Sequence, residues 1–134
     1  MKSKSTLKVI LFLVFALVSM FSLSACTLFD VADFEPLEDA MELVGSPTMT
    51  YSYNEETGYY DVYVEGIAKN VSESAVSNAS VTFAVYDASG NLICVAEDYI
   101  AVIDVGLSWR FAATGTARYA PAQIELLDLC GYDW

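Results

Sequence analysis

Strict alternation between apolar and polar side chains is the feature that most limits how this chain can fold. Residues 59–67 alternate in this way, with Tyr60, Val62 and Val64 on one side and Asp61 and Glu65 on the other. Residues 80–86 do the same, with Val81, Phe83 and Val85 set against Ser80, Thr82 and Ala84. A period of two places one set on a buried face and the other in solvent, so both segments are predicted to be half-buried β-strands.

The segments around these two strands extend the all-β pattern. Residues 70–77 are predicted to form a polar loop, and the cluster Asp87–Asn91 predicts a hairpin turn between strands ending at Tyr86 and beginning at Leu92. Residues 92–101 carry apolar side chains at both odd and even positions, and so on both faces of a strand. This pattern predicts a strand that is more buried than its neighbours.

The end of the chain continues in the same way. Gly106 predicts a further turn, after which Leu107, Trp109 and Phe111 share one face. In residues 123–129 the apolar parity shifts between Leu126 and Leu127, which indicates a β-bulge or the end of strand pairing. Short strands with frequent turns and no long helix predict an antiparallel β-sandwich.

Three segments resemble the FxLYD domain family, which is named for a Phe-x-Leu-Tyr-Asp strand end. They are Gly66–Asn70, then Val81–Asp87, which contains Phe83-Ala84-Val85-Tyr86-Asp87, then Gly90-Asn91. Val85 replaces the signature Leu, and Val105 stands where the family tends to have Pro before its glycine turn. The resemblance implies an immunoglobulin-like β-sandwich and no known reaction. The motif positions it marks are Gly66, Asn70, Phe83, Tyr86, Asp87 and Gly90.

The motif also has a physical interpretation that is independent of any family. Phe83 and Val85 are predicted to fill the core, since they share the apolar parity of their strand. Asp87 is predicted to cap the turn that follows, and Gly90 to supply the positive φ that such a turn requires.

The start of the chain has the composition of an export signal. Lys2, Lys4 and Lys8 precede an almost wholly apolar run, Val9–Leu23, which is shorter than the roughly 20 residues of a membrane-spanning helix. With Leu23-Ser24-Ala25-Cys26, the segment resembles a bacterial lipoprotein signal peptide with its lipobox. That resemblance implies removal of residues 1–25, a diacylglyceryl group on Cys26, and a location at the extracytoplasmic face of a bacterial membrane. The alternative is an uncleaved membrane anchor.

The predicted domain organisation follows from this signal. Residues 1–25 form the signal peptide, residues 26–47 the lipidated Cys26 and an acidic linker, and residues 48–134 the β-sandwich domain. Within the linker, Pro36 and Gly45 flank a predicted short helix, Leu37–Val44, because Pro favours helix starts and Gly favours positions just past helix ends.

Charge excludes one broad class of partner. The chain carries 18 acidic and 6 basic residues, a formal net charge of −12, and no His. All the acids follow Cys26, where only Lys69, Arg110 and Arg118 are basic, so this part carries 3 − 18 = −15. Without a basic patch the chain is not expected to bind nucleic acid.

Residues suited to catalysis or metal binding are scarce. The acidic pairs Glu55/Glu56 and Glu97/Asp98 are adjacent in sequence, and neighbouring strand residues face opposite sides, so they predict no acid–base pair. The oxygens of Asp87, Ser89 and Asn91 alternate as in a calcium loop, and Glu97 and Asp98 are candidates for the downstream acid, but a strand would carry them away from the loop. We therefore expect no enzyme activity, no cofactor and no metal.

Cys94 and Cys130 leave two interpretations open. With Cys26 lipidated they are the remaining pair, and an extracytoplasmic compartment permits a disulfide between them. They are equally compatible with two packed thiols, since free cysteines behave as small apolar side chains.

The nine tyrosines are the other unusual feature. Tyr59 and Tyr63 share a face with Asp61 and Glu65, so part of this set is expected to be exposed. Exposed aromatic side chains form either a platform for a peptide or sugar ligand or ordinary cross-strand pairs. The sequence therefore predicts a membrane-anchored binding or accessory module with a protein or other envelope partner. A structural envelope protein is the alternative, and an enzyme is a third, less favoured class.

Overall fold

The computed structural model describes Leu37 and residues 39–133. Predictions for residues 1–36, namely the signal peptide, lipidated Cys26 and most of the linker, lie outside the described residues. The chain forms seven β-strands: β1 (Met41–Leu43), β2 (Thr48–Asn54), β3 (Tyr59–Asn70), β4 (Val76–Tyr86), β5 (Leu92–Ile103), β6 (Ser108–Ala117) and β7 (Gln123–Asp133). Among the residues described, no helix has the length and hydropathy needed to cross a bilayer.

The strands form two antiparallel layers that face each other. In one layer β1 and β2 both pair with the same edge of β3, and β6 pairs with its other edge. In the second layer β4 lies between β5 and β7. The layers meet on one side where Glu97 of β5 pairs with Thr114 of β6, and on the other where the Leu37 amide donates to the Gly131 carbonyl at 3.0 Å. The sheet is nearly closed, and the prediction of an all-β antiparallel sandwich is confirmed.

The core lies between the two layers and is built from the alternating positions. Val62 and Val64 are fully buried in β3, while Glu65 is exposed, as the alternation predicts. Phe83 of β4 and Phe111 of β6 meet across the core with ring centroids 5.7 Å apart, and Trp109 packs edge-on against Phe111 at 5.8 Å. Aromatic rings at these separations stabilise a core beyond the burial of their area.

The predicted helix at Leu37–Val44 is wrong. Met41–Leu43 instead forms β1, and Met41 pairs with Asn70 of β3. A two-turn helix cannot stand alone, whereas Met41 gains burial by pairing with a strand that is already formed. The folded domain therefore extends to the N-terminal side of residue 48. Gly45, with a φ of 77°, ends β1 and starts the crossover into β2.

Two further boundaries differ from the sequence predictions. The polar loop predicted for residues 70–77 is shorter, because Asn70 is the buried last residue of β3 and Ser77 is already a buried residue of β4. Residues 92–101 do not form a strand buried on both faces, since Ala96 is their one fully buried member. The outer face of β5 has no layer packed on it within residues 39–133, so its apolar side chains remain exposed.

The turns and the bulge agree with the sequence predictions. β4 and β5 form the predicted hairpin, and Gly106 turns the chain with a φ of 73°. Leu107, however, is exposed in that turn, outside the buried face of Trp109 and Phe111. In β7, Leu126 pairs with Phe83 and Asp128 with Thr82, so Leu127 is an extra residue. The β-bulge predicted at the change of parity is confirmed.

Candidate functional site

Exposed tyrosines concentrate on the hairpin that joins β2 to β3. Its turn is closed by Asn54, whose side-chain oxygen accepts hydrogen bonds from the amides of Glu56 at 3.0 Å and Thr57 at 3.3 Å. The Gly58 amide donates to the Asn54 carbonyl at 2.9 Å, and Gly58 has a φ of 74°, which glycine adopts at little cost. This turn sets the register that pairs Asn54 with Tyr59. We call the side chains of Tyr51, Tyr53, Tyr59, Tyr60 and Tyr63 the tyrosine edge.

Three of these rings form a cluster on the core-facing side of the hairpin. Tyr60 packs edge-on against Tyr51, with centroids 5.9 Å apart, and against Tyr53 at 5.1 Å. Tyr51 remains 49% exposed and Tyr53 55% exposed, because β2 lies at the margin of the sheet and covers the core incompletely. The cluster is therefore held in place by ring contacts and still presents aromatic surface to solvent.

The other two tyrosines lie on the outer face of β3. Tyr59 and Tyr63 are both exposed there, as their shared parity predicts. The guanidinium carbon of Arg118 lies 5.9 Å from the centroid of the Tyr59 ring, which is cation–π geometry. A hydrogen bond to Tyr59 raises the pKa of Arg118 above its ordinary value. Beside Tyr63 is a shallow concavity of about 240 Å³, lined by Asp61, Tyr63, Thr114 and Thr116 among others.

Carboxylates surround the tyrosine edge. Glu55 and Glu56 are exposed in the turn, Glu65 is exposed farther along β3, and Asp61 is half-buried between Tyr59 and Tyr63. Asn54 Nδ2 donates to the Asp61 carboxylate at 3.3 Å, which orients that side chain. The site therefore combines aromatic rings with negative charge, a pairing suited to a cationic ligand.

A second recess lies where β1 ends and β2 begins. It has a volume of about 280 Å³ and is lined by Ser46, Thr48, Glu65 and Arg110, with Val44, Gly66 and Ile67. The recess exists because β1 and β2 share one edge of β3 and leave a gap between them. It contains one acid, one base and two hydroxyls, and this set offers no activated nucleophile.

Of the family-motif residues, Gly66 alone lines one of these two recesses. Gly66 lies in β3 opposite Phe111, where a Cβ would stand 2.4 Å from Phe111 Cζ, so glycine makes room for the ring. Phe83 is fully buried in the core, as predicted. Tyr86, on the opposite face of β4, donates a hydrogen bond to Glu125 at 3.1 Å, and this bond raises the pKa of Tyr86.

Asp87 and Gly90 form the β4–β5 turn as predicted. One carboxylate oxygen of Asp87 accepts from the amides of Ser89 and Asn91, each at 2.9 Å, and the other accepts from Asn91 Nδ2 at 3.2 Å. These bonds, those from Asn91 foremost, lower the pKa of Asp87. Gly90 has a φ of 82°. The turn itself therefore accounts for the alternating oxygens of Asp87, Ser89 and Asn91, which resemble a calcium loop in the sequence.

Asn70, a position that the family resemblance marks, has hydrogen-bonding partners that the sequence did not predict. Its side chain is fully buried and donates to the carbonyls of Ser74 at 2.8 Å and Ile103 at 3.0 Å. Its side-chain oxygen accepts from the amide and the hydroxyl of Ser72, at 2.9 and 2.7 Å. All the hydrogen-bonding capacity of the amide is used within the protein, and the loop after β3 is tied to the end of β5.

The disulfide alternative for Cys94 and Cys130 is wrong for the described fold, in which both thiols are free. The two residues lie on β5 and β7, which flank β4 on opposite sides. Their partners on β4, Val85 and Ser80, are five positions apart, about 16 Å along a strand, whereas bridged cysteines need Cα atoms within about 7 Å. Sequence parity could not reveal that β4 lies between them.

The two thiols have different surroundings. Cys94 packs against the core, and burial raises the pKa of its thiol. Cys130 lies beside Ser80 on the opposite face, with Sγ and Oγ 3.3 Å apart. Desolvation is the largest cause that raises the pKa of Cys130, and the neighbouring Asp128 adds to it. Both thiols are thus less readily ionised than an exposed cysteine.

Metal ligands do not cluster in the part of the chain that the structure describes. Within residues 39–133 no group of three or more His, Cys, Asp or Glu side chains is placed to hold a metal ion. Comparisons with protein-family models, with curated proteins and with solved structures found no match to the chain.

Proposed function

We propose that this protein is a lipid-anchored binding module at the extracytoplasmic face of a bacterial membrane. In this proposal Cys26 carries the lipid, and the β-sandwich, an FxLYD-like and immunoglobulin-like domain, presents a binding surface to a protein or other envelope partner. The observation that carries the binding role is the tyrosine edge, because exposed rings held by neighbouring rings offer a ligand contact area at little entropic cost.

The charge of the chain supports the same proposal. The part of the chain after Cys26 carries 18 acids and 3 bases, a formal net charge of −15, which keeps the domain soluble and away from anionic phosphates. Binding of nucleic acid is therefore not part of the proposed function. A structural envelope protein is the alternative class, and it would require no ligand at the tyrosine edge.

Site-specific photo-crosslinking in cells tests the binding role. A photoreactive phenylalanine analogue placed at position 53 is expected to give a discrete crosslinked species. The matched control is position 99, since Tyr99 is 73% exposed on β5, which β6 separates from β3 and β2. Equal crosslinking at both positions, or none at position 53, would contradict the proposal and favour the structural class.

Mass spectrometry of membrane-extracted protein tests the anchor separately. A chain that begins at acylated Cys26 is the expected result, and the Cys26→Ser variant is expected to accumulate as an unprocessed precursor. Mature protein that retains residues 1–25 would show that the apolar segment serves as an uncleaved anchor instead.

A further inference from the structure

In the part of the chain that the structure describes, the outer edge of β2 is open. β2 pairs with β3 along one edge over all seven of its residues, Thr48 to Asn54. Within residues 39–133 no strand pairs with its other edge. Backbone N–H and C=O groups along a free strand edge are a template for one more strand.

β2 lacks the features that usually protect such an edge. Its sequence, Thr-Met-Thr-Tyr-Ser-Tyr-Asn, contains no charged residue and no proline, and Thr and Tyr have high β-propensity. β7, at the margin of the other layer, is protected in contrast. It carries Glu125 and Asp128, and the bulge at Leu127 interrupts its regular pairing. Its Gly131 carbonyl accepts a hydrogen bond from the Leu37 amide.

Charge selects the chemistry of the strand that β2 would accept. An added strand would lie about 5 Å beyond β2 and about 10 Å from β3. Asp61 and Glu65 of β3 would then lie near one Debye length from it at physiological salt, and Glu55 and Glu56 would lie at its end. A second copy of this chain would bring another net charge of −12 to the same place, so self-pairing is disfavoured.

From this edge and its acidic surroundings we infer that β2 binds an extended, Lys- and Arg-rich segment of a partner protein by β-strand addition. The inference rests on the proposed binding function and names the class of its partner. Main-chain hydrogen bonds to β2 supply the affinity. Side chains of the bound partner segment alternate between two sides. Those on one side face Tyr51 and Tyr53, and those on the other face Thr50 and Ser52. Cationic side chains on the first side would contact aromatic rings, and those on the second side would lie on the face that carries Asp61 and Glu65.

A synthetic peptide is the probe for this inference. The peptide acetyl-Thr-Lys-Val-Lys-Val-Lys-Thr-amide is titrated against the full chain in detergent micelles, next to a version with Glu in place of Lys. The Lys peptide is expected to bind at least about tenfold more tightly than the Glu peptide, with an affinity that falls as salt is raised. Equal affinity of the two peptides would overturn the cationic specificity.

Two N-methylated versions of the peptide test the strand geometry. One carries N-methyl groups on the lysines and the other on the valines, so each loses the amide donors on one edge of the strand. One version is expected to lose at least about tenfold in affinity, since several backbone hydrogen bonds are removed, and the other to bind like the parent. Equal loss, or no loss, in both versions would overturn strand addition.

The crosslinking described above separates this inference from the proposed function. If position 53 crosslinks a partner while both N-methylated peptides bind alike, the binding role stands and edge pairing fails. Crosslinking of position 53 to a second copy of the chain would replace the cationic guest with a homodimer. As a protein control, Tyr53→Ala is expected to weaken peptide binding, and Tyr99→Ala is expected to leave it unchanged.

Discussion

At the residue scale, Gly66 and Phe111 show how one missing side chain shapes the core. In a Gly66→Ala variant the new Cβ would lie 2.4 Å from Phe111 Cζ, so the ring or the strand must shift. Overpacking of this kind costs about 1–3 kcal/mol, and we expect that loss in a denaturant unfolding experiment. The double variant with Phe111→Leu is expected to be destabilised by less than the sum of the single changes. Strict additivity would contradict the contact.

Loss of the Asn70 side chain would leave buried polar groups without a partner. Asn70→Ala would leave the buried Ile103 carbonyl without its side-chain donor and would remove one donor from the part-buried Ser74 carbonyl. We expect a loss of about 3 kcal/mol in the free energy of unfolding, since each unsatisfied buried group costs about 1–3 kcal/mol. Asn78→Ala is not a suitable control, because Asn78 has a positive φ of 47°. Ser89→Ala, in an exposed turn, is expected to change stability by no more than about 0.5 kcal/mol.

At the element scale, the β4–β5 hairpin should respond to acid through Asp87. Hydrogen bonds from Asn91 and Ser89 lower the pKa of this carboxylate. Its stabilising effect is therefore fully present above the unfolded-state pKa of about 3.9, and it is lost as pH falls through the lower folded-state pKa. Asp87→Asn is expected to melt below the wild type at neutral pH. The difference in melting temperature between the two proteins should narrow as pH drops below about 4. A difference that stays constant with pH would contradict this role of Asp87.

The order of the strands also prevents a disulfide between the two thiols. Because β4 lies between β5 and β7, Cys94 and Cys130 cannot be joined without unfolding the second layer. Reducing agent is therefore expected to leave the melting temperature unchanged. A thiol assay of the denatured, unreduced protein is expected to count the two thiols of Cys94 and Cys130 as free, whatever group Cys26 carries. A melting temperature that falls by several degrees on reduction would show that a bridge forms after all.

At the scale of the whole molecule, the sequence predicts what is local and misses what depends on strand order. The alternation in β3, the Asp87 turn and the bulge at Leu127 are encoded within a few residues, and these predictions are confirmed. In β4 the apolar set is buried as predicted, but Ala84, expected on the solvent side, is 1% exposed. The exposed face of β5 and the separation of the two cysteines depend on which strands are neighbours. Periodicity carries no information on that choice, so these features could not be predicted.

The candidate site likewise has a part that the sequence predicts and a part that depends on the order of the strands. Exposure of Tyr59 and Tyr63 follows from strand parity and is predicted from the sequence. The cluster of Tyr51 and Tyr53 around Tyr60 depends on the pairing of β2 with β3, which places β2 at an open margin. The alternation of Tyr with Thr and Ser in residues 48–54 is the signal that could have identified this strand.

The charge of the whole chain makes its stability depend on salt. With 18 acids and 6 bases, and only Lys69, Arg110 and Arg118 basic after Cys26, repulsion between carboxylates opposes the compact state. Sodium chloride shortens the Debye length from about 30 Å at 0.01 M to about 3 Å at 1 M, so added salt should weaken this repulsion. We therefore expect the melting temperature to rise with sodium chloride concentration.

A variant with fewer carboxylates tests whether repulsion is the cause of that rise. Glu55→Gln combined with Glu56→Gln removes two exposed charges from the β2–β3 turn without touching the core. The variant is expected to melt above the wild type at low salt and to approach it at high salt, since screening and neutralisation relieve the same repulsion. A melting temperature that falls with salt in the wild type would mean that favourable ion pairs outweigh repulsion. The acidic surface could then not be treated as the source of attraction for a cationic partner.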